Sequence, residues 1–532
     1  MFYFQNIADR IIFKFQDKNF AKGISTLIGA AIINFLTGSS YSLCTLSVYE
    51  ISYIKGIGGD ISIEHLTFYY PVGVFFQCIS TIISGTIYKK LGLHKTNFIG
   101  VIFLILCFFL MYLSKSFLMD MISMFLGGIG SGIILYPSTT NSYEWFKDHN
   151  GIIVGIMETM NSLGNFFFTF LGEKIINKNE IPSNIEDNLY DISIGERIKI
   201  FLIIQIISLI SGFFISLFLM FEKSKNYENN SFNCKNEIHT VNSDINLSGN
   251  KKEYSTQEIE NEGYKEQNQE LKNKEIINSK ISKEEIKPLK VDSPDRLIKN
   301  DLTKADNIPN KNKESKIKKN HNKQILITAL KSKRFILYSI ISILESPVSS
   351  LAFMLYREIG EYEKIDVRYL QLIGSLYSIF ECLSSFIFGI LSDYIKIKYL
   401  LFFITITEAI IGFTYCLSFE SSLIFFLIQN FLSFSSGGSY PIKDCFLMQV
   451  FGQDNYIELN GIVSFCVALF VNAITPIIYM VISNYENKET AYWILFISSG
   501  FSNLIGSILC YFIDESPLDL DNMIKEINNK EN

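Results

Sequence analysis

Twelve stretches of mostly apolar residues, each near the length needed to cross a bilayer, dominate this chain. They lie at 24–46, 66–88, 97–114, 117–140, 151–172, 198–221, 335–357, 368–391, 398–417, 422–450, 458–482 and 490–513. A helix needs about 20 such residues to traverse a hydrocarbon core of roughly 30 Å. Ile, Leu and Phe with interspersed Gly and Ser suit helices, not the alternating pattern of barrel strands. The fold class predicted is an all-α membrane protein with twelve transmembrane helices, arranged six plus six.

Composition narrows the possible functions. The five His are scattered and the nine Cys show no paired spacing, so metal and disulfide frameworks are not expected. A net charge of −6 over 532 residues argues against nucleic acid as a partner. No nucleophile–base pair or phosphate loop stands out, so no enzyme and no cofactor are expected.

Charge sets the expected orientation. Residues 1–23 are interrupted by Asp9, Arg10, Lys14, Asp17, Lys18 and Lys22, unlike a secretory signal, and read as a cytosolic N-terminal segment. Lys89, Lys90, Lys95, Lys396 and Lys398 fall in short loops that the positive-inside rule places in the cytosol. The acidic loop at 173–197 goes outside, and the tail at 514–532 returns to the cytosol. The first bundle then spans 24–221 and the second 324–513. Between them, residues 222–323 are rich in Lys, Glu and Asn and nearly empty of aromatics, as expected of a disordered cytosolic linker. Its sequons at Asn229 and Asn246 would stay unglycosylated. Its basic end can meet anionic lipid, although a tolerated low-complexity insertion is the plainer reading.

The halves repeat one another. Gly85 and Gly389 are 304 residues apart, as are the Tyr136-Pro137 and Tyr440-Pro441 pairs, and Asn150-Gly151-Ile152 returns as Asn460-Gly461-Ile462 at a lag of 310. Duplicated bundles with a site at their interface are how many carriers alternate access. The segment Gly389 to Lys398 with Asp393 resembles the loop motif of the major facilitator superfamily. The copy from Gly85 to Gly92 keeps its glycines but has Lys89 where that family usually has an acid. The resemblance implies a cytosolic gate at Gly85, Lys89, Gly389 and Asp393, with the first copy altered. Gly38-Ser39-Ser40-Tyr41, Gly127 through Gly132 with Pro137 and Trp145-Phe146, Gly151 through Gly164, and Gly437-Gly438 through Gly452 are similar to the oxalate/formate antiporter and monocarboxylate transporter branch.

Ionisable residues inside the runs cost roughly 2.5–3.5 kcal/mol each at mid-membrane, which makes each a functional candidate. Those well inside the runs, away from their ends, are Glu158, Glu345, Glu381, Glu408, Lys443 and Asp444. No His lies in a run, so coupled protons would ride on carboxylates: Glu381, Glu345, Glu158 and Asp444. The branch resemblance implies an acid at Glu381 and an arginine one turn later, where this chain has Ser385. Lys443 can supply the missing positive charge, attracting an anion and releasing an acid partner, Glu345 or Glu381, to take a proton. It reads equally as a structural ion pair or a snorkelling side chain. Glu408, in the ninth run, reads as a packing acid. Tyr41, Asn34, Tyr136 and Asn141 are candidate hydrogen-bonding groups for substrate.

These features predict a monomeric secondary carrier in the plasma membrane that takes up a small organic anion with a proton. The anion is a monocarboxylate in the broad sense, with pantothenate as one candidate. The alternatives are a carrier for amino acids, drugs or other neutral or cationic solutes, and a non-transporting receptor or scaffold.

Overall fold

A lipid core offers no hydrogen-bond partners, so each run must satisfy its own backbone, and helices do this within one segment. The computed structural model describes residues 18–62, 65–146, 149–179, 181, 189–223, 323–472, 488–520 and 522–524. Among them are twelve long helices. The first half holds α1 (Lys18–Gly56), α2 (Leu66–Leu91), α3 (Leu93–Tyr112), α4 (Phe117–Trp145), α5 (Asn150–Ile176) and α6 (Ile198–Leu219). The second holds α7 (Lys333–Tyr362), α8 (Val367–Ser392), α9 (Ile397–Thr414), α10 (Ser422–Phe451), α11 (Gln453–Val467) and α12 (Lys488–Cys510). The twelve expected helices are therefore present. The block at 222–323 lies outside the described residues except for Glu222, Lys223 and Lys323, as do both sequons, the segment 1–17 and the end of the eleventh run.

Several helix ends extend beyond the apolar runs. α1 has 39 residues, about 58 Å at 1.5 Å per residue, well beyond the expected 24–46. Its added turns are covered by protein, with Tyr49, Ile51, Tyr53 and Ile54 buried and Tyr49 against Tyr190 at 4.6 Å between ring centroids. Hydropathy cannot see such a turn, because it registers only the part that lipid solvates.

Ten of the twelve helices are long and apolar enough to cross a membrane by composition alone; α5 and α10 fall short. Both carry polar residues at helical spacing: Glu158, Asn161, Ser162 and Asn165 on α5, and Ser436, Ser439, Tyr440, Lys443 and Asp444 on α10. Each set recurs every three or four residues and so occupies one face. These two helices trade apolarity for a polar stripe turned towards other helices.

The halves are built alike. α2 packs on α4 as α8 packs on α10, and α3 on α4 as α9 on α10. Between the halves, α5 lies along α8 and α2 along α11, two contacts that exchange when each helix is swapped for its counterpart six later. α1 starts on the same side as residues 511–520, where Leu518 N–H bonds the Val450 carbonyl at 2.9 Å. We call this the termini side. The chain is a multi-pass membrane protein.

Candidate functional site

The polar stripes meet in a central cavity of about 220 Å³, bounded by both halves. The first half contributes Tyr41, Tyr70, Gln77, Tyr136, Glu158 and Asn161 among others; the second contributes Tyr338, Glu345, Tyr377, Glu381, Lys443 and Asp444. Helical periodicity explains the convergence. On α7, Ser342, Glu345, Ser346, Ser349 and Ser350 all reach the cavity, at spacings that keep them on one face. The same holds for Tyr377 and Glu381 on α8, four residues apart.

Lys443 lies 3.2 Å from Glu345, whose side chain is 2% exposed. Its sequence neighbour Asp444 is rotated about 100° round the helix and instead accepts a hydrogen bond from Asn460 Nδ2 at 3.0 Å. Among the described lining residues, four carboxyl groups (Glu158, Glu345, Glu381, Asp444) thus face one ammonium. Tyr41 donates to Gln77 Oε1 at 2.9 Å, joining α1 to α2 at the cavity wall.

Two of the expected substrate groups lie elsewhere. Asn34 Nδ2 donates to the Ala30 carbonyl and to Met157 Sδ, at 2.9 and 3.2 Å, joining α1 to α5 in the packed interior. Asn141 Nδ2 donates to the Phe221 carbonyl at 3.2 Å, tying α4 to the end of α6. Neither lines the cavity. Ser385, at the place of the branch arginine, is fully buried and donates to the Gly437 carbonyl at 2.8 Å. A guanidinium there would drive into α10.

On the termini side the halves come into direct contact. A Cβ on Gly389 would sit 2.5 Å from Gly155 Cα and 2.8 Å from the Gly151 carbonyl oxygen, so α5 and α8 touch backbone to backbone. Asp393, one residue beyond α8, accepts from the N–H groups of Gly151 and Ile152 at 2.7 and 3.1 Å. It caps the first turn of α5, where free N–H groups and the helix dipole favour an anion. In the symmetry-related place Lys89 reaches Glu458 on α11 at 2.7 Å, and Gly85 lies against the same carboxylate. The altered motif is therefore matched by an acid on the facing helix.

Sequence reasoning missed several of these groups. Glu458 opens an apolar run and reads as a boundary residue. The serines of α7 pass for helix-packing residues, although their spacing beside Glu345 marks a face. A second buried acid pair, Glu50 and Asp120, lies off the cavity with Tyr69 donating its hydroxyl to Asp120. Glu50 falls beyond the first apolar run and Asp120 at the start of α4, where an acid resembles a helix-terminal residue.

This is the twelve-helix major facilitator fold, with a polar cavity between its halves. The family model described as Major Facilitator Superfamily matches residues 326–526, the second half. The MFS-type transporter opdF of Penicillium oxalicum is 25% identical over 154 residues, which cover 28% of this chain and 35% of that protein. The chain spans about a third of the length of the curated relatives it matches. Among solved structures, the proton:xylose symporter XylE bound to 6-bromo-6-deoxy-D-glucose is similar with a TM-score of 0.61 at 12% identity, over 95% of this chain and 99% of that one. FucP, a Major Facilitator Superfamily transporter in the outward conformation, has a TM-score of 0.54 at 12% identity, over 92% and 99%.

Proposed function

We propose that the chain is a secondary carrier that moves a small organic anion together with protons by alternating access. The observation that carries this reading is the one ammonium among the described lining residues, Lys443, held by Glu345 beside three further carboxyls. Charges of one sign crowded in low dielectric cannot all persist, so the set holds protons as well as substrate. A substrate carboxylate that takes over Lys443 leaves Glu345 without its counter-ion, and Glu345 then takes a proton. Anion and proton move together because they meet at one ion pair. Tyrosine, serine and asparagine hydroxyl and amide groups around the cavity supply hydrogen bonds for a polar solute such as pantothenate. The lysines at 89, 90, 95, 396 and 398 support a cytosolic termini side, and the plasma membrane is the proposed location.

The test is uptake by proteoliposomes of the full chain, using a panel of labelled carboxylates that includes pantothenate. An inward proton gradient should drive saturable accumulation that collapses with an uncoupler. Absence of gradient-driven uptake of every carboxylate would overturn the anion reading. The excess of acids favours a second reading, a carrier of amine-bearing solutes, and labelled amino acids in the same panel separate the two.

Closure on the termini side is proposed to rest on Lys89 with Glu458 and on Asp393 with α5. Lys89→Glu sets two carboxylates together. With the Lys89 side chain 36% exposed, the effect is modest, about 1 kcal/mol, and uptake should fall several-fold. Adding Glu458→Lys restores the pair in the opposite sense and should recover most of the rate. A double variant no faster than Lys89→Glu would remove the pair from the mechanism.

A further inference from the structure

Behind the cavity, α9 and α12 bury a carboxyl that the cavity wall does not include. Glu408 is 1% exposed and Asn503 fully buried. The two helices meet without side chains between them: a Cβ on Gly412 would sit 2.8 Å from Gly500 Cα. That approach sets Glu408, one turn before Gly412, beside Asn503, one turn after Gly500. Asn503 Nδ2 donates to Glu408 Oε2 at 2.9 Å. Two acceptors at this spot, Glu408 Oε1 and Asn503 Oδ1, have no hydrogen-bond partner, and neither has Glu345 Oε2 nearby.

Buried acceptors without donors are rare and ask for an explanation. One proton supplies it. A neutral carboxylic acid and a primary amide form a ring of two hydrogen bonds, N–H to one acid oxygen and O–H from the other to the amide oxygen. The first bond is in place, and a proton on Glu408 Oε1 would complete the second. Charge points the same way. Glu408 interacts electrostatically with both Glu345 and Lys443, and one ammonium can neutralise one carboxylate, which is Glu345 at 3.2 Å. The other groups that sense this cluster, Tyr377 with Glu408 and Tyr338 and Cys510 with Glu345, add no positive charge.

We propose that Glu408 is a proton-binding site outside the cavity: it holds a proton in a neutral pair with Asn503, while the ammonium of Lys443 stays with Glu345. This deepens the carrier reading and rests on it for its role in coupling, since Glu408 then stores a proton beside the ion pair that substrate disturbs. Glu408 acts through Glu345 and is a positioning residue.

The test is infrared spectroscopy of the purified full chain near neutral pH. In H2O/D2O difference spectra, the carbonyl band of a protonated buried carboxyl should be lost in Glu408→Gln, whose amide mimics the neutral acid and keeps the melting temperature near that of the parent. Asn503→Leu should retain that band and move it to higher wavenumber, because the acid loses its amide partner. This variant also serves if Glu408→Gln does not fold. Lys443→Gln should add one protonated-acid band, that of Glu345. A Glu408→Gln spectrum identical to the parent, or an Asn503→Leu band unmoved, would overturn the proposal. None of these readings depends on transport, so failure of the carrier reading in proteoliposomes remains distinguishable.

Discussion

Lys443→Gln is expected to abolish uptake of anions and to weaken the fold at the same time. The substitution strips Glu345 of the ammonium 3.2 Å away and leaves a carboxyl that is 2% exposed without a counter-ion. Breaking one side of a buried pair destabilises by about 3–5 kcal/mol. The double variant Lys443→Gln with Glu345→Gln replaces the pair by two neutral amides and should recover most of the lost stability, because removing both partners together leaves no orphaned charge. It should not recover transport. Thermal melting and uptake, measured on the same three proteins, separate the two roles of the lysine. Anion uptake by the double variant at parental rate would show that the pair only holds the helices together. Uptake of an amine solute that survives in Lys443→Gln would favour the second reading of the cavity.

A comparably large effect is expected at the contact of α5 with α8. Gly389→Val introduces a branched side chain where even a Cβ would lie 2.5 Å from Gly155 Cα. The obstacle is backbone, so it cannot rotate away as a side chain would. Overpacking of this kind costs about 1–3 kcal/mol, enough to move a two-state equilibrium roughly 5- to 150-fold. On the proposed closure of the termini side, that strain is present only in the closed form. The variant should therefore populate the form open on that side without unfolding. Paired spin labels at Leu91 and Tyr394, both exposed and on opposite halves, should report a longer distance than in the parent. An unchanged distance, with unchanged uptake, would mean that the contact is not part of closure.

Much of the fold was legible because lipid imposes one rule on every span. An uninterrupted apolar run of about 20 residues has few other uses, and paired glycines and prolines at a nearly fixed lag betray a duplication. Helix length was less legible. The outer turns of α1 are covered by Tyr190 and its neighbours rather than by lipid, and no local property of the sequence announces that cover. At the site, expense was a good guide: Glu158, Glu345, Glu381, Lys443 and Asp444 all reach the cavity. Polarity without charge was a poor one. Asn34 and Asn141 bridge helices, whereas Asn161, Asn165 and Asn460 line the cavity, and the same side chain serves either purpose at similar cost. What distinguishes them is company, since Asn161 and Asn165 lie on one helical face with Glu158 and Ser162. Glu408 reads from the sequence as a packing acid, since nothing in its own run points to a partner. Its proximity to Lys443 depends on how α9 leans on α12 and α7, which is set by tertiary packing alone.

The two contacts between the halves on the termini side differ in kind. One is a single ion pair whose lysine is partly wetted by solvent, and dissolved salt weakens such attractions over a Debye length of about 8 Å at physiological strength. The other seats a carboxylate on two peptide N–H groups, a grip that depends on short hydrogen bonds and is less open to shielding. Raising ionic strength should thus loosen the seam along α2 and α11 first, so that two nearly symmetrical edges would part in a fixed order.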